Sequence, residues 1–235
     1  MVTSCASGSK AGKKEKALTQ EEHFLLALKA TERGNLEEAV TEYQQVLKID
    51  PKCARAYVNL GIVYGRQGRS SEEVSSYKKA VAIDPKLAEA YFHLGVAYYE
   101  LGMLEEATAQ YQKAIQVNPQ YVEARNNLGN IHFRKGMFKE ALREYQETVE
   151  LNPEYARGYF NIGSLHLRQD KFDEAVTSLQ RAIGVNPSYG EAHYLLAWAF
   201  YKKKTYSLAI EHCDQAIKLG VQVDPRFLEA LKAQR

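Results

Sequence analysis

Cysteine is scarce in this chain of 235 residues, and its three copies stand far apart at Cys5, Cys53 and Cys213. An odd number without CxxC or other metal-ligand spacing excludes a disulfide framework and a zinc module. Long apolar runs are missing as well: no window approaches the ~18 consecutive apolar residues of a membrane span. Charge of one sign is also lacking, since 31 cations against 29 acids give a formal +2. Met1–Lys16 holds four of the lysines and one glutamate, which leaves −1 for the remainder. A near-neutral body has no basic stripe of the kind that sequence-independent nucleic-acid binding needs. No nucleic-acid partner is expected. Proline is rare too, at six, and its placement is informative.

Pro51, Pro85, Pro119, Pro153 and Pro187 lie thirty-four residues apart, and only Pro225 is out of phase. Such a period marks a tandem array, in which each unit buries its apolar face on its neighbours. The cleanest copy is Leu87–Tyr121, two amphipathic helices joined at Gly102 and closed by Asn118-Pro119. The spacing predicts six repeats over 19–223, at 20–53, 54–87, 88–121, 122–155, 156–189 and 190–223. A small, polar, basic linker over 1–18 precedes them. Thr19 and Glu22 form a plausible capping box for the first helix. Gly68, Gly102 and Gly136 recur at the turn inside each repeat, where φ > 0 is often needed. Asp170 and Lys204 replace that glycine in the last two repeats and predict less relaxed turns. Asp224-Pro225 reads as an N-cap with proline at the first helical position, opening a capping helix within 224–235. The expectation is thirteen helices. Cys53 then falls in an inter-repeat turn, and Cys213 on an apolar helix position as a small core residue.

Tyr91, Leu94, Gly95, Tyr98, Ala107, Tyr111, Ala114 and Pro119 resemble the defining sites of the tetratricopeptide repeat family, a resemblance covering roughly Gln20–Arg235. It implies an all-α fold: a right-handed α-solenoid superhelix of stacked helix-turn-helix hairpins whose first helices line a concave groove. Gly61, Gly95, Gly129 and Gly163 stand where the helices of a hairpin cross, with Ala107, Ala141 and Ala175 doing the same on second helices. Tyr98 and Tyr111 fill the space between hairpins. Glu73 occupies an alanine site, so the second hairpin is expected to be splayed or out of register.

Projected onto the groove, Asn59, Asn127 and Asn161 are equivalent positions, with His93 interrupting the series. An amide offers both donor and acceptor, and the row resembles the asparagine ladder of the O-GlcNAc transferase repeat domain. The bland alternative is that these amides satisfy a half-exposed helix face. The candidate peptide-binding residues are Asn59, His93, Asn126, Asn127, Asn130, Phe160, Asn161, Tyr194 and Trp198. Arg134, Arg168 and Lys202 along one edge would favour acidic partner residues. Trp198, the only tryptophan, is either an interface anchor or a packing residue. Val96, Tyr99, Phe133, Ser164 and Tyr201 project onto the same face. A comparison with the repeats that clamp the C-terminal carboxylate of chaperones is negative. Asn130 and Asn161 supply two amides, but Asn126, Glu191 and Leu195 stand where cations are required.

Catalytic chemistry is not encoded in any recognisable pattern. His132 and His166 sit one repeat apart at the site Tyr98 holds, which predicts packing rather than a shared metal ion. The pairs Glu37-Glu38, Glu72-Glu73 and Glu105-Glu106 sit in first turns of second helices, where acids are favoured. Glycine-rich phosphate loops, nucleophile elbows and zinc spacings are absent. The chain reads as a non-catalytic scaffold, without cofactor or metal, that captures a partner protein or peptide segment in its groove. Two alternatives remain. In one, Val2-Thr3-Ser4-Cys5 is the lipid-attachment end of a bacterial lipoprotein that helps assemble pili or envelope complexes. The apolar run of a signal peptide is absent upstream, so the chain as written reads as cytoplasmic. A later start than the natural one would instead place it on a membrane in the periplasm. In the other, the chain is a docking or regulatory subunit of a separate enzyme such as a glycosyltransferase.

Overall fold

The computed structural model describes residues 18–234, all of whose regular structure is helical. Cys5 and the linker expected before residue 18 lie outside the described residues. The described residues divide into two compact units, one up to Ile83 and one from Asp84 onward. In the first, α1 (Gln20–Arg33) pairs with α2 (Leu36–Ile49), and α3 (Ala54–Arg66) pairs with α4 (Ser70–Ile83). In the second, four hairpins follow: α5 (Ala88–Glu100) with α6 (Leu104–Val117), and α7 (Val122–Arg134) with α8 (Phe138–Leu151). Then come α9 (Ala156–Arg168) with α10 (Phe172–Val185), α11 (Gly190–Lys202) with α12 (Tyr206–Lys218), and the short α13 (Pro225–Lys232). Within each unit the hairpins stack as an α-solenoid, each second helix packing on the first helix of the next repeat.

Local chemistry sets where these helices begin and end. Thr19 Oγ1 accepts from the Glu22 N–H at 3.2 Å while the Thr19 N–H donates to Glu22 Oε2 at 2.7 Å, a closed capping box. Asp224 Oδ1 accepts from the Arg226 N–H at 2.8 Å and starts α13 beside Pro225. Between repeats, the residue after each proline donates its N–H to the Asx side chain before it. Lys86 does so to Asp84 (2.9 Å), Gln120 to Asn118 (3.1 Å), Glu154 to Asn152 (3.0 Å) and Ser188 to Asn186 (3.1 Å). Proline has no N–H to compete, so the Asx-Pro pair makes the same tight turn each time.

The turn inside each repeat is left-handed. Gly102 has φ 76°, and the following Met103 N–H donates back to Tyr98 O at 2.9 Å. Asp170 (φ 58°) and Lys204 (φ 60°) adopt the same conformation, with Lys171 and Thr205 making the equivalent bond at 2.9 Å. Side chains there cost roughly 1–2 kcal/mol in steric strain. The turn geometry therefore comes from the hairpin, and the two replacements are strained within it.

Hairpin packing follows from glycine opposite a large ring. A Cβ placed on Gly95 would lie 2.7 Å from the Tyr111 ring, and one on Gly129 would lie 2.6 Å from Tyr145. Gly163 plays the same part under Leu179. Tyr111 thus packs inside its own hairpin, across Gly95, rather than only between hairpins. Ala107, Ala141 and Ala175 are fully buried at the crossing.

The second hairpin corrects the expectation raised by Glu73. It is neither splayed nor shifted, because Tyr77 lies over Gly61 as its counterparts do over their glycines. Glu73, only 8% exposed, sits against Gly65, where an added Cβ would lie 2.7 Å from its Oε1. Later repeats carry Tyr99, Phe133, Leu167 and Tyr201 at the Gly65 site. A large residue on one helix has been exchanged for a large residue on the other.

Candidate functional site

In the second unit, the tyrosines that cross the glycines do more than fill space. Because Gly129 has no side chain, the Tyr145 ring lies over α7 and its hydroxyl reaches Asn130 Oδ1 at 2.8 Å. Asn161 Nδ2, on the next first helix, donates to the same Asn130 Oδ1 at 3.2 Å and to Asn126 Oδ1 at 2.8 Å. Asn126 Nδ2 makes a long 3.5 Å contact with Asn127 Oδ1, and Asn127 Nδ2 reaches the Tyr111 hydroxyl at 3.4 Å. Burial raises the pKa of both phenols, so they stay protonated and able to donate.

This network reorders the candidates. Asn126 is 0% exposed and holds Asn161 from beneath, so it is a core residue and not a groove contact. Asn127 has both ends of its amide engaged. Asn130 and Asn161 differ: among the described residues, Asn130 Nδ2 and Asn161 Oδ1 have no hydrogen-bond partner. Both residues line a cavity of about 190 Å³ with Tyr99, Phe133, Arg134, Tyr145 and Ser164. A second pocket of about 150 Å³ adjoins it, walled by Val96, Glu100, Tyr111 and Asn127, and shares Tyr99 and Asn130 with the first. One unbonded donor and one unbonded acceptor on residues that line a common cavity suit the C=O and N–H of an extended chain.

The remaining candidates are dispersed. Asn59 is half-buried on α3, in the first unit, beside the buried Tyr43 phenol. His93 is half-buried, edge-on to Phe92 at 5.3 Å with Glu89 at 3.8 Å. Phe160 stacks on Tyr189 at 4.9 Å, as Phe92 does on Tyr121 at 5.0 Å, so both are packing residues between hairpins. Arg134 is exposed, its guanidinium 5.0 Å from the centre of the Tyr99 ring. Arg168 and Lys202 are exposed at the ends of α9 and α11.

Trp198 and Tyr194 are engaged by the capping helix. Phe227 stacks on Trp198 at 4.7 Å with 6° between planes and meets Tyr194 edge-on at 5.9 Å. Trp198 Nε1 donates to the Tyr194 hydroxyl at 3.2 Å. These two residues seat α13 rather than offering an open aromatic anchor.

Three features escaped the sequence reading: the Tyr145 hydroxyl, Glu100 at the cavity wall, and a contact between His193 and His212. The signal for the first was available, since a glycine on one helix opposite a tyrosine on the next implies that the hydroxyl emerges on the far side. His132 and His166 pack as expected, each with a buried Nδ1 that has no hydrogen-bond partner among the described residues. Among the described residues no three His, Cys, Asp or Glu converge to hold a metal ion, and no helix is long and apolar enough to cross a membrane.

The fold and its glycine–tyrosine crossings define a class of helical-repeat scaffolds. The chain belongs to the tetratricopeptide repeat family. It matches the family profile described as TPR repeat over residues 29–68, 74–102, 97–136 and 129–170. Two further tetratricopeptide profiles match over 54–87 and 160–220. A comparison with curated protein sequences finds no significant match. Among solved structures, a MamA protein is 28% identical with a TM-score of 0.63, over 73% of this chain and 94% of that one. PilF from Pseudomonas aeruginosa aligns with a TM-score of 0.76 at 21% identity, covering 85% of this chain and 91% of its own. YrrB, described as a TPR protein with an unusual peptide-binding site, aligns at 0.63 and 23% identity, covering 82% and 97%.

Proposed function

We propose that the chain is a protein-interaction scaffold that holds an extended segment of a partner protein against α5, α7 and α9. The observation that carries this is the pair Asn130 and Asn161. Each amide is fixed by one end, through Tyr145 and Asn126, each has its other end unbonded among the described residues, and both residues line the same cavity. Pre-orientation matters because ordering flexible side chains costs roughly 0.5–1.5 kcal/mol apiece on binding. Here that cost is met by the fold. The walls of Tyr99 and Phe133 add apolar area beside the amides, and membership of the tetratricopeptide repeat family agrees with a binding role.

The test is a groove block that leaves the core intact. Ser164 lines the cavity and is half-buried, so Ser164→Arg fills the cavity and leaves Gly129, Tyr145 and the other residues of the crossings in place. Partner proteins recovered by crosslinking from the native source are expected to be lost with Ser164→Arg while helicity and the unfolding midpoint hold. Retention of the same partners would show that another surface does the binding.

A further inference from the structure

The two adjoining pockets carry opposite charges. Successive first helices of the second unit end in Glu100, Arg134, Arg168 and Lys202, so one acid is followed by three cations. Glu100 lines the 150 Å³ pocket and Arg134 lines the 190 Å³ cavity, with Tyr99 and Asn130 as the shared partition. Among the described residues neither Glu100 nor Arg134 enters an ion pair, and the two do not pair with each other. The Tyr99 ring instead holds the Arg134 guanidinium at 5.0 Å, a cation–π contact that fixes its position while leaving its donors open. Each pocket is smaller than the ~300–1,000 Å³ typical of a drug-sized ligand. Each has room for one side chain.

We infer that the groove reads a bipolar element: an extended peptide with one basic and one acidic side chain, the base beside Glu100 and the acid beside Arg134. The inference rests on the groove reading above and adds the chemistry of the segment it accepts. α5 and α7 stand side by side along the two pockets, on the order of one helix diameter of 10–12 Å apart, and an extended chain advances about 3.3 Å per residue, so the two charges are about three residues apart. Arg168 and Lys202 lie beyond Arg134 in the same series, so a longer acidic stretch is tolerated on that side and a basic one is not. Exposed charges of this kind add little affinity. Their effect is to reject the wrong order, because reversing the peptide places like charges together.

Selection from a library of random linear peptides displayed on phage tests this directly. The baits are the full chain, the double reversal Glu100→Arg with Arg134→Glu, and Ser164→Arg, each checked for helicity and unfolding midpoint. The wild-type chain is expected to enrich peptides with opposite charges about three residues apart in one order. The double reversal is expected to enrich the opposite order, and each to bind the other's peptides at least tenfold more weakly. Wild-type peptides without a charge pair, or an order unchanged by the double reversal, overturn the bipolar inference. If Ser164→Arg still abolishes their binding, the groove reading survives that failure. Peptides that bind Ser164→Arg as well as the wild type, or no enrichment at all, overturn both.

Discussion

Phe227 of α13 lies flat on Trp198 of α11, ring centres 4.7 Å apart and planes within 6°. The last hairpin would otherwise present an open apolar face, and this contact closes it. Phe227 is 4% exposed, so Phe227→Ala is expected to cost about 3–5 kcal/mol. Trp198 is the only tryptophan and reports the event. Its emission should shift to the red in the variant, before the rest of the unit unfolds. Unchanged emission would mean that α13 does not seat on this ring in solution.

The close approach of Gly129 to Tyr145 links packing to the site. Gly129→Ala puts a Cβ 2.6 Å from the ring, and overpacking of this kind costs roughly 1–3 kcal/mol. Displacing the ring also withdraws its hydroxyl from Asn130. The variant should therefore lose peptide affinity as well as stability, whereas Gly163→Ala, under a leucine, should lose stability with a smaller effect on affinity. Equal affinity losses would separate Tyr145 from recognition.

Gly65 and Glu73 form a compensating pair. Gly65→Ala is expected to destabilise the first unit, and the same change made with Glu73→Ala should cost less. Contacting residues typically couple by about 0.5–3 kcal/mol. Additive losses in a double-mutant cycle, measured by denaturant unfolding, would show that the two sites are independent.

His193 and His212 face each other with their Nδ1 atoms 3.0 Å apart, and His193 Nε2 lies 3.2 Å from Pro187 O. A carbonyl only accepts, so His193 carries its hydrogen on Nε2 and His212 donates from Nδ1. His212 stacks on Phe200 at 5.6 Å. Burial first, then the charge of His193, lowers the pKa of His212 from 6.5, with Glu211 opposing. The folded state therefore binds the proton less readily than the unfolded chain. The stability it contributes is complete above about pH 6.5 and falls as pH drops through the lowered value. The unfolding midpoint should decline between pH 7.5 and 5.5, and His212→Phe should flatten that decline. His166, whose pKa burial also lowers, adds to it in the same direction.

Most of the fold was legible because its signals are periodic and local. An Asx-Pro pair makes its turn whatever surrounds it, and glycine opposite tyrosine specifies a crossing distance. The left-handed turns at Asp170 and Lys204 were legible by register alone. The site was legible only as a stripe. A helix turns ~100° per residue, so Asn126, Asn127 and Asn130 all project near the groove, and the sequence does not say which one the next hairpin covers. Asn126 is the one covered, and it became the support for Asn161. Trp198 was ambiguous for a related reason: its partner Phe227 lies in a helix that follows no repeat spacing. The His193–His212 contact depends on a non-periodic pair and left no pattern to read.

The cavity bounded by Asn130, Arg134 and Asn161 is the proposed seat of the partner segment. The most direct measurement is the affinity of a wild-type-selected peptide for Ser164→Arg, by isothermal titration, beside unfolding midpoints for both proteins. A fall in affinity of at least tenfold, about 1.4 kcal/mol, with the midpoint preserved is the expected result. Equal affinity for the two proteins would show that the segment binds elsewhere.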